Sequence, residues 1–247
     1  NTIRGDGDIV THTISIDDYS EMIIEGGRIE INYTQAMSDE KAPFLEVSTD
    51  RNIFEKYDFE VVNGKTLRVC PKQEYRRNTN FKPTRFIVNT NSTRIEKATL
   101  TGSSELNTEH TITTDRLYID VAGSGKINLR DTIRTKSFES SIAGSGNMQI
   151  NYLETLDFKG TIAGSGSLSI AGKGSNGELS IAGAGEVSAF DFVLDNASAN
   201  IAGAGSVELT ANKHLEASIA GAGDISYKGD PEIKKDIAGV GKIRKAD

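Results

Sequence analysis

One stretch of the chain concentrates side chains that could recognise an anionic ligand. Its cationic and aromatic residues are Arg68, Lys72, Tyr75, Arg76, Arg77, Phe81, Lys82 and Arg85. Guanidinium and ammonium groups bind carboxylates and phosphates, and aromatic rings add apolar surface. The stretch could meet an anionic polysaccharide, a lipid headgroup or a partner protein, with a solvated loop as the alternative. Because loops carry function more often than regular faces do, these residues form the predicted ligand-binding loop.

Residues 172–177 read Gly-Lys-Gly-Ser-Asn-Gly and match the G-x-G-x-x-G pattern of dinucleotide-binding proteins. That pattern holds a phosphate when a helix begins directly after it, because the N–H groups of the helix N-terminus bind the anion. Here Leu179, Ser180 and Ile181 continue as a predicted strand instead. We therefore expect neither a nucleotide nor another cofactor.

The pattern also argues against a metal site. Calcium-binding β-roll repeats place an Asp two residues after a Gly-x-Gly phrase, where this chain has aliphatic residues such as Ile127 and Leu168. Asp6 and Asp8 fit a solvated turn better than an ion site. Cys70 is the only cysteine, which excludes an intrachain disulfide and a zinc site built on thiolates.

A repeated phrase surrounds these motifs: an aliphatic residue, Ala, Gly, a small residue and Gly. The seven copies start 18 to 21 residues apart, and a fixed period of this size indicates a stacked repeat architecture. The predicted structural turn glycines are Gly123, Gly125, Gly144, Gly146, Gly164, Gly166, Gly183, Gly185, Gly203, Gly205, Gly221, Gly223, Gly239 and Gly241. Glycine suits such a corner because it tolerates a positive φ and the close approach of stacked backbones.

Apolar residues alternate with other residues on both sides of each phrase, a period that belongs to β-strands. Each unit therefore reads as strand, glycine turn, strand and variable corner. Stacking the units aligns two columns of aliphatic residues. The first column is Val121, Ile142, Ile162, Ile181, Ile201, Ile219 and Ile237, and the second is Ile127, Met148, Leu168, Val187, Val207, Ile225 and Ile243. The prediction is an all-β parallel β-helix with rungs of about 20 residues, and antiparallel hairpins in a barrel or sandwich are the alternative.

The N-terminal half is less regular. Residues 1–97 read as irregular rungs and loops, residues 98–247 as regular glycine-turn rungs, and together they form one predicted domain, 1–247. Residues 3–9 look like a degenerate copy of the phrase, and Asn63-Gly64 predicts a hairpin turn. Residues 19–24 could form a short helical turn, and loops are predicted at residues 35–43 and 71–83.

β-Helices often carry glycan-cleaving enzymes, in which paired carboxylates perform the reaction. Glu186 and Asp224 share a column two rungs apart, or about 10 Å, which is near the upper limit for an inverting acid and base pair. Their neighbours are mostly Ser, and the three His residues have no periodic acidic or nucleophilic companion. We therefore predict a non-enzymatic protein with no catalytic residues, and a polysaccharide-binding or polysaccharide-cleaving module is the alternative.

The net charge of -7 argues against nucleic acid as a partner, because phosphate binding requires a basic face. No run approaches the roughly 20 apolar residues that span a bilayer. No leader is visible at Asn1, although the chain could follow a removed signal sequence.

The repeated phrase, together with residues 18–31 and the aromatic Tyr19 within them, resembles the family of the putative auto-transporter adhesin, head GIN domain. Members are exported proteins of Bacteroidetes and their relatives, many of them lipoproteins. The resemblance implies a right-handed β-helix and export to the periplasm, the outer membrane or the cell surface. It also implies membrane contact only through a lipid anchor on the precursor, and it brings no catalytic residues.

Together these observations predict an exported structural or adhesion-type module. Its partner would be a glycan or a cell-surface protein, and its unpaired β-helix ends would allow a homo-oligomer. The outward rows of Ser, Thr and Asn along the rungs fit either a glycan surface or an ordinary solvated face.

Overall fold

The architecture is described from a computed structural model that defines residues 1–246. The helices are α1 (Arg51–Phe54) and the 3-10 helix η1 (Gln73–Tyr75). The strands of the N-terminal part are β1 (Thr2–Arg4), β2 (Ile9–Thr13), β3 (Glu21–Gly26), β4 (Glu30–Gln35), β5 (Phe44–Asp50), β6 (Tyr57–Val62), β7 (Thr66–Pro71), β8 (Asn80–Lys82) and β9 (Phe86–Ser92). The strands of the repeats are β10 (Lys97–Gly102), β11 (Glu105–Thr108), β12 (Ile112–Thr113), β13 (Arg116–Gly123), β14 (Lys126–Arg134), β15 (Ser137–Gly144), β16 (Asn147–Gly164), β17 (Ser167–Gly183), β18 (Glu186–Gly203), β19 (Ser206–Gly221), β20 (Asp224–Lys228), β21 (Glu232–Gly239) and β22 (Lys242–Lys245).

The repeats form a β-solenoid in which each rung pairs in parallel with the next. The first aliphatic column is in register from Val121 to Ile237. The second is in register from Ile127 to Ile243. The predicted all-β fold of stacked parallel rungs of about 20 residues is confirmed, and the antiparallel barrel or sandwich is wrong.

The glycine corner separates two faces of the solenoid. The first face precedes the corner and stacks β7, β3, β10, β13, β15, the C-terminal parts of β16 to β19, and β21. The second face follows the corner and stacks β9, β4, β11, β14, the N-terminal parts of β16 to β19, β20 and β22. A shorter third face contains Leu153, Gly172 and Phe192 in one column.

At the N-terminal end, the order of the rungs along the axis differs from the order of the chain. The rung of β3 and β4 lies between the rung of β7 and β9 and the rung of β10 and β11. Antiparallel β5 and β2 extend the second face, and β6 extends the first face as a hairpin with β7. Segments on both sides of the β3–β4 rung in sequence therefore cover this end of the core.

The local predictions for this half have mixed outcomes. The Asn63-Gly64 hairpin turn is confirmed, with φ of 55° and 65°. The helical turn at residues 19–24 is wrong, because β3 is a strand whose alternate side chains Met22 and Ile24 are buried. Residues 3–9 form no rung, since Ile3 lies opposite Phe81 in the β1–β8 pair. The loop predicted at residues 71–83 contains η1 and β8.

The first glycine of each phrase sits where another residue would be strained. Gly144 has φ of 121°, and a Cβ placed there would lie 2.6 Å from the carbonyl oxygen of Gly123 in the neighbouring rung. The same oxygen accepts a hydrogen bond of 3.1 Å from the N–H of Ser145. The backbone of the adjacent rung thus occupies the space a side chain would need.

Gly144→Ala should lower the free energy of unfolding by more than about 2 kcal/mol, because it combines an unfavourable φ with a clash between rungs. Gly64→Ala is the matched control. Gly64 also has a positive φ but no atom near its Cβ position, so we expect a loss of about 1 kcal/mol there. Chemical denaturation measures both, and equal losses would show that stacking does not constrain the corner.

A groove between the basic loop and the glycine corner

A concave surface lies where the predicted loop meets the glycine corners of the first rungs. We call this cavity of about 490 Å³ the corner groove. Its lining residues are Glu25, Gly26, Gly27, Pro71, Tyr75, Arg76, Thr79, Asn80, Phe81, Thr101, Gly102, Ser103, Gly123 and Ser124. One wall comes from residues 71–81. The floor comes from three stacked corners at residues 25–27, 101–103 and 123–124, the first of which is far from the other two in the sequence.

The wall begins at the 3-10 turn of η1. The N–H of Tyr75 donates to the carbonyl oxygen of Lys72 at 2.8 Å, and the Nε of Arg76 donates to the carbonyl oxygen of Pro71 at 3.0 Å. The ammonium of Lys56 lies 5.8 Å from the centre of the Tyr75 ring. Tyr75 and Arg76 are thereby held beside the groove, and Arg76 uses one of its five N–H donors on the protein.

The N-terminal strand pins the other part of the wall. β1 pairs in parallel with β8, so that Thr2 lies opposite Asn80 and Arg4 opposite Lys82. The backbone nitrogen of Asn1 donates to the carbonyl oxygen of Asn78 at 2.8 Å. The loop is therefore tied down as part of a small two-stranded sheet.

A buried carboxylate fixes the end of the loop. Asp50 is inaccessible to solvent and accepts hydrogen bonds from the N–H groups of Gly7 at 2.9 Å and Thr84 at 2.8 Å. Burial raises the pKa of Asp50, but these donors and the N–H of Arg85 outweigh burial and hold the pKa below its usual range. A Cβ on Gly5 would collide with the carboxylate, so the N-terminal segment packs directly against it.

The floor contains a variant of the repeated phrase. Ser104 stands where later rungs have the second glycine, and its hydroxyl donates to the carbonyl oxygen of Gly26 at 3.1 Å. The N–H of Ile29 donates to the same hydroxyl at 3.3 Å. Ser103 and Ser124 lie at the tips of their corners, are exposed to solvent and line the groove. The floor is thus rigid backbone edged with hydroxyl groups.

The sequence comparison identifies the family. The family described as putative auto-transporter adhesin, head GIN domain, matches residues 18–231. The chain belongs to this family. Among curated proteins, no sequence matches the chain.

Solved structures similar to this head GIN domain carry related descriptions. A putative lipid binding protein from Parabacteroides distasonis is 33% identical, with a TM-score of 0.94 and all of both chains covered. A putative adhesin from the same species is 29% identical, with a TM-score of 0.90 and all of both chains covered. A putative adhesin from Parabacteroides merdae is 27% identical with a TM-score of 0.91, covering all of this chain and 99% of that one. Neither the family nor these structures are named as enzymes.

The structure separates the predicted loop residues of the head GIN domain. Tyr75, Arg76 and Phe81 line the groove, but the Phe81 ring is buried 5.1 Å from that of Tyr57 and belongs to the core. Arg68 lies on β7, 4.0 Å from Glu60. The predicted residues outside the groove lining are Arg68, Lys72, Arg77, Lys82 and Arg85.

Sequence reasoning missed the polar residues that other segments bring to the groove. Glu25 and Thr101 come from two neighbouring rungs, and they lie opposite each other only because β3 pairs with β10. Thr79 and Asn80 lie in the predicted loop at residues 71–83, and no motif in the sequence marks them. The signal in the sequence is the stretch Leu-Thr-Gly-Ser-Ser at residues 100–104, a degenerate copy of the repeated phrase one period before Val121, which marks residues 101–103 as a corner of the same stack.

Two reactive groups near the groove are structural in this arrangement. Burial raises the pKa of the Cys70 thiol to about 11, so the thiol stays protonated at neutral pH. The Tyr57 hydroxyl is buried without a hydrogen-bond partner and leaves room for no side chain at Gly26. Burial also raises the pKa of Tyr57.

The remaining chemical candidates lie apart from the groove. Glu186, Ser206 and Asp224 share one column, as predicted from the repeat, and both carboxylates are exposed. The G-x-G-x-x-G residues lie within β17, and no helix follows them. Across residues 1–246 no three His, Cys, Asp or Glu side chains are grouped closely enough to hold a metal ion. In the same part of the chain, no helix is long and apolar enough to cross a bilayer.

Asp50→Asn should destabilise the fold by about 2 kcal/mol at pH 7, because an amide cannot satisfy the converging N–H donors. The folded-state pKa lies below the unfolded value, so the carboxylate stabilises the fold above about pH 4. That contribution is lost as the pH falls from there through the folded pKa. Urea denaturation from pH 7 to pH 3 should show the gap between wild type and variant closing below pH 4.

Asp115→Asn is the control, since Asp115 is exposed and pairs only with Lys136. It should change stability by less than about 0.5 kcal/mol at every pH. An Asp50→Asn gap that stays constant down to pH 3 would contradict the role of the charge.

Proposed function

We propose that this head GIN domain is an exported, non-enzymatic adhesion-type module of the cell envelope, and that it binds a glycan in the corner groove. The observation that carries the proposal is the set of groups in the groove. The Glu25 carboxylate, the Arg76 guanidinium and the Tyr75 ring stand beside the exposed hydroxyls of Thr101 and Ser103.

This set matches the surface of a sugar. Sugar hydroxyls both donate and accept hydrogen bonds, so a site needs a carboxylate that accepts, a guanidinium that donates and hydroxyls that do both. The half-buried Tyr75 ring offers an apolar surface for the sugar's C–H face. A groove open along the stacked corners also suits a chain of sugars better than a compact ligand.

Rigidity supports the same assignment. The floor is backbone locked between rungs, and β1, η1 and Asp50 hold the wall. A preformed groove loses little conformational freedom when it binds, so a few hydrogen bonds suffice for useful affinity. The family description and the adhesin neighbours support the adhesion-type role and the export of the chain.

A polysaccharide-cleaving protein is the second candidate, and it rests on the shared column of Glu186 and Asp224. The two carboxyl groups are separated by two rung spacings, about 10 Å. Both side chains lie on an open strand face, which gives a substrate no enclosure. We therefore place this candidate second.

A glycan array that includes neutral, uronic-acid and sulfated polysaccharides tests binding. Arg76→Ala and Tyr75→Ala should each weaken the strongest hit about tenfold or more, as expected for a lost charged hydrogen bond or a lost ring contact. The matched controls are Arg116→Ala and Lys159→Ala, which remove exposed cations from the regular rungs. They should leave binding unchanged.

Lipids must be tested beside the glycans, because one similar solved structure is described as a putative lipid binding protein. Vesicles of neutral and of anionic phospholipid serve as the probe. If the chain binds vesicles, Arg76→Ala abolishes that binding and no glycan binds, then the ligand of the groove is a lipid headgroup and not a glycan. Equal effects of the groove and control variants would remove the groove from the proposal.

A reducing-sugar assay on the same polysaccharides tests the second candidate. We expect no release of reducing ends by the wild-type chain. Turnover that Glu186→Gln or Asp224→Asn reduces at least a hundredfold would overturn the non-enzymatic assignment.

A further inference from the structure

Five of the six cationic side chains in residues 68–85 lie outside the lining of the corner groove. The segment contains one carboxylate, Glu74, and therefore has a net charge of +5. The whole chain has a net charge of -7, so the residues outside this segment together carry -12. A polyanion is attracted to this segment and repelled by the rest of the chain as a whole.

The protein itself neutralises little of this positive charge. Arg68 lies 4.0 Å from Glu60. No carboxylate of residues 1–246 lies within 4.0 Å of the charged nitrogens in the other five cations, which are Lys72, Arg76, Arg77, Lys82 and Arg85. By contrast, several cations of the regular rungs pair across neighbouring rungs, as Arg130 does with Glu109 at 2.6 Å. The wall of the groove thus keeps cations that are available to a ligand.

One group of these cations stands where the wall begins, at the η1 turn. Lys72 follows the lining residue Pro71, and the N–H of Lys72 donates to the carbonyl oxygen of Lys56 at 2.8 Å, so the two lysines are neighbours. Arg77 directly follows the lining residue Arg76, and both arginines are exposed. This group therefore borders the groove without forming its surface.

The second group stands where the wall ends, on the β1–β8 sheet. Lys82 follows the lining residue Phe81 and lies opposite Arg4 in the parallel pair. Ile3 and Phe81 pack against the core, so the alternation of a strand directs Arg4 and Lys82 away from it. The two cations stand on adjacent strands, about 4.8 Å apart at the backbone.

The surroundings of these cations fit a soluble polyanion better than a bilayer. Proteins that dock on a bilayer insert apolar side chains beside their cations. The large apolar side chains that are exposed among residues 1–246 are Ile9, Met37, Phe44, Tyr152, Leu156, Val193, Ile237 and Val240. None of them belongs to β1 or to residues 68–85, so this surface has only charge to offer.

We propose that the ligand of the corner groove is an acidic polysaccharide. The inference rests on the proposed function, in which a chain of sugars lies along the groove. Lys72 and Arg77 bind carboxylate or sulfate groups on the units that pass the η1 turn. Arg4 and Lys82 bind the same groups on the units that pass the β1–β8 sheet. Charge-assisted hydrogen bonds of this kind are about twice as strong as neutral ones, so the charge that recurs along the polymer becomes part of what is recognised.

Pairs of acidic and neutral polysaccharides test the inference. The acidic probes are polygalacturonate, hyaluronate and dextran sulfate, and the neutral probes are the same polymers with carboxylates reduced or sulfates removed. The wild type should bind at least one acidic polymer about tenfold or more tighter than its neutral partner. Raising the salt from about 50 mM to about 500 mM should shrink this preference, because salt screens exposed charges.

The double variant Lys72→Ala with Arg77→Ala removes two cations and no lining residue. It should lower the preference for the acidic polymer about tenfold or more, because two charge-assisted hydrogen bonds are lost. The matched control is Arg116→Ala with Lys159→Ala, which removes two exposed cations from the regular rungs. The control has the same net charge and should keep the wild-type preference.

Two further double variants separate lost charge from a disturbed fold. Lys72→Gln with Arg77→Gln keeps long polar side chains and should lower the preference as the alanine pair does. Arg4→Ala with Lys82→Ala tests the other end of the wall and should also lower the preference. Thermal unfolding followed by circular dichroism should match the wild type for each of them.

The outcomes distinguish this inference from the proposed function. Equal binding of acidic and neutral polymers, or equal effects of the wall and control variants, would overturn the inference. If Arg76→Ala still weakens the binding of a neutral glycan in that case, the proposed function stands without it. If no polysaccharide binds, both are wrong. Binding of anionic phospholipid vesicles that Lys72→Ala with Arg77→Ala abolishes would then assign these cations to a bilayer surface.

Discussion

A rung of about 20 residues cannot bury its own aliphatic side chains. Each rung of this protein therefore depends on backbone stacking that places Ile on Ile in neighbouring turns. The register is strict, because a slip by one residue would turn the apolar column outward. The corners must be equally uniform, and the carbonyl oxygen of Gly123 occupies the space next to Gly144 for this reason. The repeated phrase is the sequence form of that requirement.

The same dependence makes the ends of the stack exceptional, since the last rung at each end has only one neighbour. The N-terminal end is covered by strands that run against the direction of the stack, and the β3–β4 rung is inserted between later rungs. At the other end of the described residues 1–246, β21 pairs with β19. The irregular sequence of residues 1–97 thus corresponds to a physical problem that the regular rungs do not face.

The corner groove lies between the stacked glycine corners and the irregular N-terminal segments. Regular corners supply a rigid floor that no single rung could hold in place. The irregular wall carries the side chains that vary in chemistry, among them Tyr75 and Arg76. Tyr75 and Phe81 of the wall also pack against the core, which holds the exposed Arg76 beside the floor. In the proposed function, the stacked corners supply stability and the wall supplies recognition.

The sequence by itself determined the repeating fold. A period near 20, alternation of apolar residues and glycine pairs leave few arrangements, and both predicted columns occur in the structure. It also located Tyr75 and Arg76 at a surface loop, and it marked residues 101–103 as a corner. These features are local or periodic, so neighbouring letters are enough to reveal them.

Only the tertiary structure decided which residues share a site. Glu25 and Thr101 are 76 positions apart and become neighbours through one strand pair, β3 with β10, which is out of chain order. Arg68 and Arg85 belong to the same basic stretch as Arg76, yet neither lines the groove, since Arg68 lies on β7 beside Glu60 and Arg85 lies between β8 and β9. Phe81 is an aromatic residue of the kind that could bind a ligand, but in the structure it is a core residue, because Tyr57 packs against its ring. Charge and residue type are read from the sequence, but proximity depends on which strands pair, and no periodic signal in residues 1–97 encodes that.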